Sequence, residues 1–397
     1  MTSPNYQDAV HHVRFLHTSD LQIGKTLAYL GDDGQARFNE ARLDAIEALG
    51  KVAVDQQCSF IVIAGDVFEK NRLSARVLNR AKEALNKLEI PVYLLPGNHD
   101  PLTADSIFYK TEDLEKIHVI SDSQPIEISQ DVELIGAPLR SIRAPHDLVN
   151  EVLEDLEPTD TIRIMAGHGP TQSFGEDSPE RIDMVKVSEA LDQGVIDYLA
   201  LGDTHSAQPV EAKKRAWYSG APEVTDFHNK CGGRDGGENN SGNVLVVDIY
   251  KNDATDAVVE VQEIPVGTWT FEEIDANLTT AYDVDRFLER LRSYPEKART
   301  AIRYSLQGSL PIAEYARLHG VIEELESTFA SLQVHKRYHD LRIAPSEEEI
   351  SQLELGAVAQ AAVKELQELA DTDAAESEAA RDALNLLFRL SSSSEGH

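Results

Sequence analysis

Residues 94–102 read LLPGNHDPL, and how this stretch ends decides how the chain is read. Val92, Tyr93, Leu94 and Leu95 make a short apolar run of strand type, the mark of a buried strand. Pro96-Gly97 stops it, and Asn98, His99 and Asp100 then stand where the strand leaves its sheet. Pro-Gly-Asn is adequate turn chemistry by itself, because Asx side chains often cap turns. One such turn proves nothing. The rest of the chain has to show whether other strands end the same way.

The 397 residues leave room for two or three domains. With 69 Asp+Glu against 37 Lys+Arg, the formal net charge is −32. Such a field repels nucleic acid and anionic membrane, so any action on nucleic acid has to come from a local site, a bound metal or a partner. Two cysteines argue against a disulfide framework and fit a reducing compartment. Cys58 precedes an apolar strand and is expected to be buried; Cys231 lies in a Gly-rich loop, and neither has a metal-type spacing. The opening MTSPNYQDAVHHVRF has no basic region followed by an apolar one, and no apolar run approaches ~18 residues. The expectation is a soluble, cytoplasmic protein with no membrane span.

From residue 13 to about 265, strand-like runs alternate with helical patterns. VRFLHTSD (13–20), FIVIAGDVF (60–68), RIMAGHG (163–169), DYLALGDTH (197–205) and NVLVVDIY (243–250) read as strands, mostly running into loops. Amphipathic helices are expected over 36–56 and 74–88. Alternation of this kind predicts layered α/β architecture, with a partly antiparallel second sheet because the later strands have fewer helices between them. The stretch 226–243, polar and Gly-rich, reads as a mobile loop. Residues 281–342 hold ten Lys/Arg against nine Asp/Glu, and a helix (283–293), a strand (300–307) and a helix (311–330) suggest a small α+β domain. Beyond 346 there are twelve acids and three bases, with apolar residues at helical spacing (Leu353, Leu355, Val358, Val363, Leu366, Leu369) and again in ALNLLFRL. The expected division is 13–268, a cap over 269–345 and a C-terminal helical segment over 346–390, with SSSSEGH disordered.

The strand ends now compare directly. Asp20 and Gln22 follow the first strand, Asp66 the second, and Asn98, His99 and Asp100 the third. His168 ends RIMAGH, and Asp203 and His205 end LALGDTH. In layered α/β folds, sites assemble at the carboxyl ends of strands. Five turns ending in carboxylate, carboxamide or imidazole would bury polar groups that need partners, and a cation satisfies all of them together. Oxygen and nitrogen ligands without thiolate suit manganese, with iron, magnesium or zinc as alternatives. The ligands are too many for one tetrahedral ion, so two divalent ions sharing a carboxylate are expected, the arrangement that clamps both oxygens of a phosphoryl displacement.

FLHTSDLQIG, AGDVF, LLPGNHD, AGHG, LALGDTH and the later YSGAPE together resemble the calcineurin-like metallophosphoesterase superfamily, and within it the SbcD-type DNA-repair exonuclease subunits. The resemblance covers roughly residues 13–265 and implies an α/β fold there, a layered β-sandwich flanked by helices. It implies that Asp66 bridges two metals, that Asp20, Gln22 and His205 complete one site, and that Asn98, His168 and Asp203 complete the other. It casts His99 as the acid at the leaving oxygen and Asp100 as the group orienting its ring. It further implies a hydrolase of DNA phosphodiesters acting in repair, with a DNA-facing cap, a C-terminal segment docking on an SbcC-type coiled-coil ATPase, and a homodimer among its assemblies. Two positions depart from the pattern: Gln22 and Asp203 stand where relatives usually carry His. Glu69 differs as well. A small-molecule or cyclic-nucleotide phosphodiesterase and a catalytically weak scaffold subunit are the competing readings. His17 is expected to pack beside the site, His11 and His12 to be exposed, Arg140 and Arg143 to be candidates for phosphate contact, and VHKRYHDLR (334–342) a candidate nucleic-acid contact.

Overall fold

The computed structural model describes residues 9–172, 178–227, 238–344, 357–370, 379–380 and 383. The chain divides into two compact units between Phe271 and Glu272. The first unit holds strands β1 (His11–Thr18), β2 (Ile61–Ile63), β3 (Val92–Leu94), β4 (Ile117–Val119), β5 (Ile126–Ser129), β6 (Val132–Gly136), β7 (Ile162–His168), β8 (Tyr198–Gly202), β9 (Gln208–Pro209), β10 (Ala216–Tyr218), β11 (Asn243–Lys251) and β12 (Val258–Pro265). Its helices are α1 (Gly31–Asp55), α2 (Ala75–Asn86), α3 (Leu148–Glu154) and α4 (Met184–Asp192).

Twelve strands form two six-stranded sheets, ordered β12-β11-β1-β2-β3-β4 and β5-β6-β7-β8-β10-β9. β1 to β4 run parallel, and β11 and β12 add an antiparallel edge. The second sheet is parallel through β6, β7, β8 and β10 and antiparallel at both ends. The expected α/β sandwich with a partly antiparallel second sheet is what forms.

Alternation along the strands explains the layers, because successive side chains face opposite sides of a sheet. In β1, Val13 and Phe15 join the core between the sheets, while Leu16 faces the layer holding Ile46 and Leu49 of α1. In β8, Tyr198 and Ala200 face the partner sheet, and Leu199 and Leu201 face Val187 and Leu191 of α4. Phe15 and Phe60 stack at 5.1 Å in the central layer, with Tyr198 edge-on to Phe15. Each such buried side chain contributes about 1.5–3 kcal/mol. Cys58 is a buried free thiol, and burial pushes it up to about 11.

The second unit is built on β13 (Thr270–Leu278), α5 (Ala281–Ser293), β14 (Thr300–Leu310), α6 (Ile312–Glu326), β15 (Ser331–Val334), β16 (Asp340–Ile343) and α7 (Ala357–Ala370). β14 pairs with β13, with β15 along Ala301–Tyr304 and with β16 along Gln307–Leu310. Thr280 and Asp283 close a reciprocal cap at the start of α5, whose Phe287, Leu288 and Leu291 pack in one core with Ile302, Leu306 and Leu318. The helix expected over 311–330 stops at Glu326, and Phe329 and Ala330 are buried on the way into β15. α7 falls within the apolar pattern that starts at Leu353; Leu353, Leu355 and the ALNLLFRL leucines lie outside the described residues, as does Cys231.

Candidate metal centre

β1, β2 and β3 are neighbours in one sheet and β7 and β8 in the other, so their carboxyl ends meet at one end of the sandwich. The backbone turns sharply there. Asp20, Gln22, Asp66 and Asp203 have φ of 53°, 40°, 53° and 104°. Left-handed non-glycine residues cost roughly 1–3 kcal/mol each and cluster at functional sites. Backbone bonds hold them: the Asp20 N–H donates to Gly65 O at 3.0 Å and the Gln22 N–H to Asp66 O at 2.8 Å. Two glycines make the crowding possible. A Cβ at Gly65 would lie 2.1 Å from His168 Nδ1, and one at Gly97 would lie 2.2 Å from Asp66 Oδ1.

Asp20, Asp66 and His168 each bring one ligand atom into a group within 4.8 Å of one another, and all three are buried. The Nδ1–H of His168 donates to Ala64 O at 2.8 Å, which leaves Nε2 as the free lone pair, 3.4 Å from Asp66 Oδ1. A backbone carbonyl fixing the far ring nitrogen is the usual support of a ligating histidine. The Asn98 carboxamide oxygen lies 2.8 Å from His168 Nε2. In the neutral ring these are two acceptors, which a cation between them would satisfy; otherwise Nε2 must carry a proton, or the amide must turn over and donate to His168 and Asp66. Asp203 Oδ1 stands 4.0 Å from His168 Nε2, and its N–H donates to Asp20 Oδ2 at 3.2 Å.

On the other side, Asp20 Oδ1 is buried without a partner, 3.9 Å from His205 Nε2. His205 Nδ1 is held by Glu238 Oε1 at 2.7 Å and by Thr225 Oγ1 at 3.0 Å. Gln22 takes part differently from the expectation. Its oxygen accepts from Lys25 Nζ at 2.7 Å, and its amide nitrogen faces His205 Nε2 at 3.2 Å. A carboxamide makes both bonds at once, whereas an imidazole would present one nitrogen to the site.

His99 and Asp100 separate. The His99 ring leans on Glu69 through Nδ1, 3.1 Å from the backbone oxygen and 3.7 Å from Oε2, and the His99 backbone N–H donates to Asp66 Oδ1 at 2.9 Å. Asp100 was expected to orient that ring. Instead its two oxygens accept the N–H groups of Phe68 and Gly97, both at 2.8 Å, so it ties the GNHD turn to the GDVF turn. The turn reverses the chain after His99 and sends the Asp100 side chain inward. Glu69, whose Oε2 is buried without a hydrogen bond, is the carboxylate beside the histidine.

The electrostatics are those of acids crowded together. Burial and then the charge of Asp66 push Asp100 up to about 7. Burial raises Asp203 too, with Asp20 and Asp66 adding to it. Burial opposes charge on Asp66, but His168 and His99 overcome that and hold it below the ordinary carboxylate range. Burial likewise works against a charged His168, and Asp66, Asp20 and Asp203 outweigh it. Converging carboxylates, an oriented imidazole and an orphaned Asp20 oxygen fit a divalent cation.

Several supports lie outside the candidate ligands. Glu238 sits in the stretch 226–243 that reads as mobile, yet it is buried and also accepts the Thr225 N–H at 2.8 Å; residues 228–237 lie outside the described part. Ser219, within YSGAPE, donates to Ser19 Oγ at 2.8 Å, and Ser19 in turn bonds Asp20. His17 is buried beside the site, bonded to Tyr198 Oη at 3.0 Å and Leu201 O at 3.2 Å. His12 is exposed and stacked on Tyr250, while His11 is half-buried near Asp131 rather than exposed. Arg140 and Arg143 are exposed, and 335–342 are partly to fully exposed.

A two-sheet sandwich with this cluster at its strand ends defines a metal-dependent phosphoesterase, and residues 13–207 match the calcineurin-like phosphoesterase family: this region is a domain of that family. The chain is 27% identical to the SbcD component of the nuclease SbcCD from Bacillus subtilis (strain 168) over 251 residues, 54% of this chain and 63% of that protein. It is 27% identical to the uncharacterized metallophosphoesterase YhaO of the same organism, covering 51% of each chain. It is 26% identical to the DNA double-strand break repair protein Mre11 of Archaeoglobus fulgidus over 54% of this chain and 51% of that one. The matches thus span half to just under two thirds of these relatives' lengths. Among the described residues no helix is long and apolar enough to cross a membrane.

Proposed function

We propose that the chain hydrolyses phosphodiesters of DNA with divalent metal, as a nuclease subunit. The observation that carries the hydrolytic part is the convergence of Asp20, Asp66 and His168 within 4.8 Å at the ends of strands from both sheets. Similarity to a nuclease component and to a break-repair protein supports DNA as substrate class. Asp66 would be shared by two cations, Asn98, His168 and Asp203 would hold one, and Asp20 and His205, with Gln22 beside them, the other. Bound there, divalent ions, manganese in this reading, would neutralise phosphoryl charge and activate water.

The chain's own groups do the rest. His99 Nδ1 rests on Glu69, so Nε2 is the atom that can pass a proton to a leaving oxygen; at 37% exposure the side chain is open to a substrate. The Asp66 carboxylate accepts the His99 backbone N–H, and so fixes the main chain that carries the ring relative to the centre. The strained, cross-bonded turns keep the acidic groups from relaxing apart, which is preorganisation of the site.

The same reading gives the unit beyond residue 269 a DNA-facing role and 346–390 a role in docking on an SbcC-type coiled-coil ATPase, in a cytoplasmic repair assembly that includes a homodimer. It is tested by incubating the purified protein with Mn²⁺ and single- or double-stranded DNA, beside bis(p-nitrophenyl) phosphate. Cleavage of DNA that EDTA stops supports it. Hydrolysis of the small ester with DNA untouched would leave a small-molecule phosphodiesterase.

A further inference from the structure

The loop APLRSIRAP (137–145) takes no part in the proposed chemistry, yet it borders two cavities. One, about 50 Å³, is lined by Asn98, His168 and Asp203 of the metal centre together with Leu139, Ile142 and Ala144 of this loop. The other, about 500 Å³, runs from Ala144 outward, between the loop, the start of α3 and residues 122–124. Ala144 lines both, so the larger groove adjoins the metal-centre cavity at this residue.

The groove's chemistry is mixed in a particular way. Pro138, Pro145, Leu148 and Val152 give it an apolar wall. The polar groups lining it include Gln124 and Arg140 together with the carboxylates of Asp122 and Glu151. An amide offers both a donor and an acceptor, and apolar walls accept a flat ring; a bare phosphate would find neither useful. The volume suits a nucleoside, since pockets for small organic ligands span about 300–1,000 Å³. Arg140 is anchored by one N–H to Ser121 O at 2.8 Å, which leaves the rest of its guanidinium fork for a phosphate or a base edge.

The loop is held rigidly at its base. The Leu139 N–H donates to Pro96 O at 3.2 Å and the Leu102 N–H to Leu139 O at 2.8 Å, so both contacts are to the chain around GNHD. Beyond that base Ile142 is 71% exposed, a large apolar side chain at the lip of an otherwise polar site. Lone exposed apolar residues are common and mean little alone. This one lines the metal-centre cavity and sits between two exposed arginine-bearing positions, Arg140 and Arg143.

We propose that the groove is a nucleoside subsite: it receives the sugar and base of a nucleotide whose phosphate lies at the metal centre, with Ile142 against the nucleoside where it passes the lip. The proposal rests on the phosphoesterase reading only for the place of the phosphate. It makes the enzyme a reader of nucleotides rather than of phosphate esters in general.

The test is equilibrium binding of thymidine 5′-monophosphate and of phenyl phosphate to the Mn²⁺-loaded full chain, by titration calorimetry, for the wild type, Arg140→Glu and Gln124→Trp. Both positions are exposed, so neither change disturbs the core. The wild type should prefer the nucleotide by tenfold or more, and the preference should shrink to twofold or less in both variants. A wild type without preference, or a preference that both variants keep, overturns the subsite. If the protein hydrolyses no phosphodiester and still shows the preference and its loss, the phosphodiesterase reading falls and the nucleoside subsite stands.

Discussion

The end of the sandwich opposite the metal centre carries a buried ion pair, and Lys251→Met should expose its value. Lys251, the last residue of β11, pairs in register with His11 at the start of β1, so it lies at the far end from Asp20. Its Nζ donates to Asp197 Oδ2 at 2.8 Å and to Thr161 O at 3.0 Å, just before β8 and β7 of the other sheet. Both side chains are buried, and Asp197 Oδ2 also accepts the Arg163 N–H at 2.8 Å. Burial already raises the Asp197 carboxyl, and Lys251 is the first of the groups pulling it back. Without the ammonium, the carboxylate must stay charged and unpaired or take up a proton. Protonating a group of ordinary pKa ~3.9 at pH 7 costs about 4 kcal/mol, at about 1.4 kcal/mol per unit. That ceiling agrees with the about 3–5 kcal/mol lost when a buried pair is broken. The folded variant holds its proton above the unfolded pKa, so its stability falls as pH rises from ~4 through the raised pKa. We expect a loss of about 3–4 kcal/mol at pH 7 and about 1.5 kcal/mol or less at pH 5, with Asp197→Asn added to Lys251→Met recovering more than half. Both tryptophans, Trp217 and Trp269, belong to the first unit, so urea unfolding followed by their fluorescence reports on it alone. A loss under about 1 kcal/mol at pH 7, or one that does not change with pH, would refute the reasoning.

Three substitutions address the site. His99→Ala should keep its metal by elemental analysis and lose turnover by about 10²–10⁴, as when a general acid is removed; metal loss would instead make His99 a ligand. Gly97→Ala should fold, by circular dichroism, and lose both metal and turnover, because its Cβ would press within 2.2 Å of Asp66 Oδ1; activity within threefold of wild type would mean that the two turns are not so close. Gln22→His should lower the Mn²⁺ concentration giving half-maximal rate, by replacing an amide bonded to Lys25 and His205; an unchanged requirement would place residue 22 away from the metal.

The sequence carried the parts of this molecule that are local. Strand runs such as 92–95 and 198–202 are apolar throughout because both faces are covered, and each candidate ligand stands within a few residues of a strand end. The start of α1 at Gly31 was missed because Asp32 and Asp33, favourable at a helix N-terminus, add nothing to apolar periodicity. Glu238 was missed, and Ser219 stood in YSGAPE with no role assigned, because both reach the site from far along the chain, through loops with no period to read. Adjacency misled at Asp100: it follows His99 in sequence, but the turn directs it to the amides of Gly97 and Phe68. Lys25 was passed over because a lone lysine in a loop carries no pattern, and only the folded turn shows its ammonium on Gln22.

The central claim is that the acids and histidines at these strand ends hold divalent metal for phosphodiester hydrolysis. It is met most directly by measuring bound manganese and bis(p-nitrophenyl) phosphate turnover together, for EDTA-stripped wild type and Asp66→Asn after readdition of Mn²⁺. The account predicts that the stripped wild type is inactive, regains metal and turnover together, and that Asp66→Asn regains neither. Full metal occupancy in Asp66→Asn, or undiminished turnover by the stripped wild type, would contradict it.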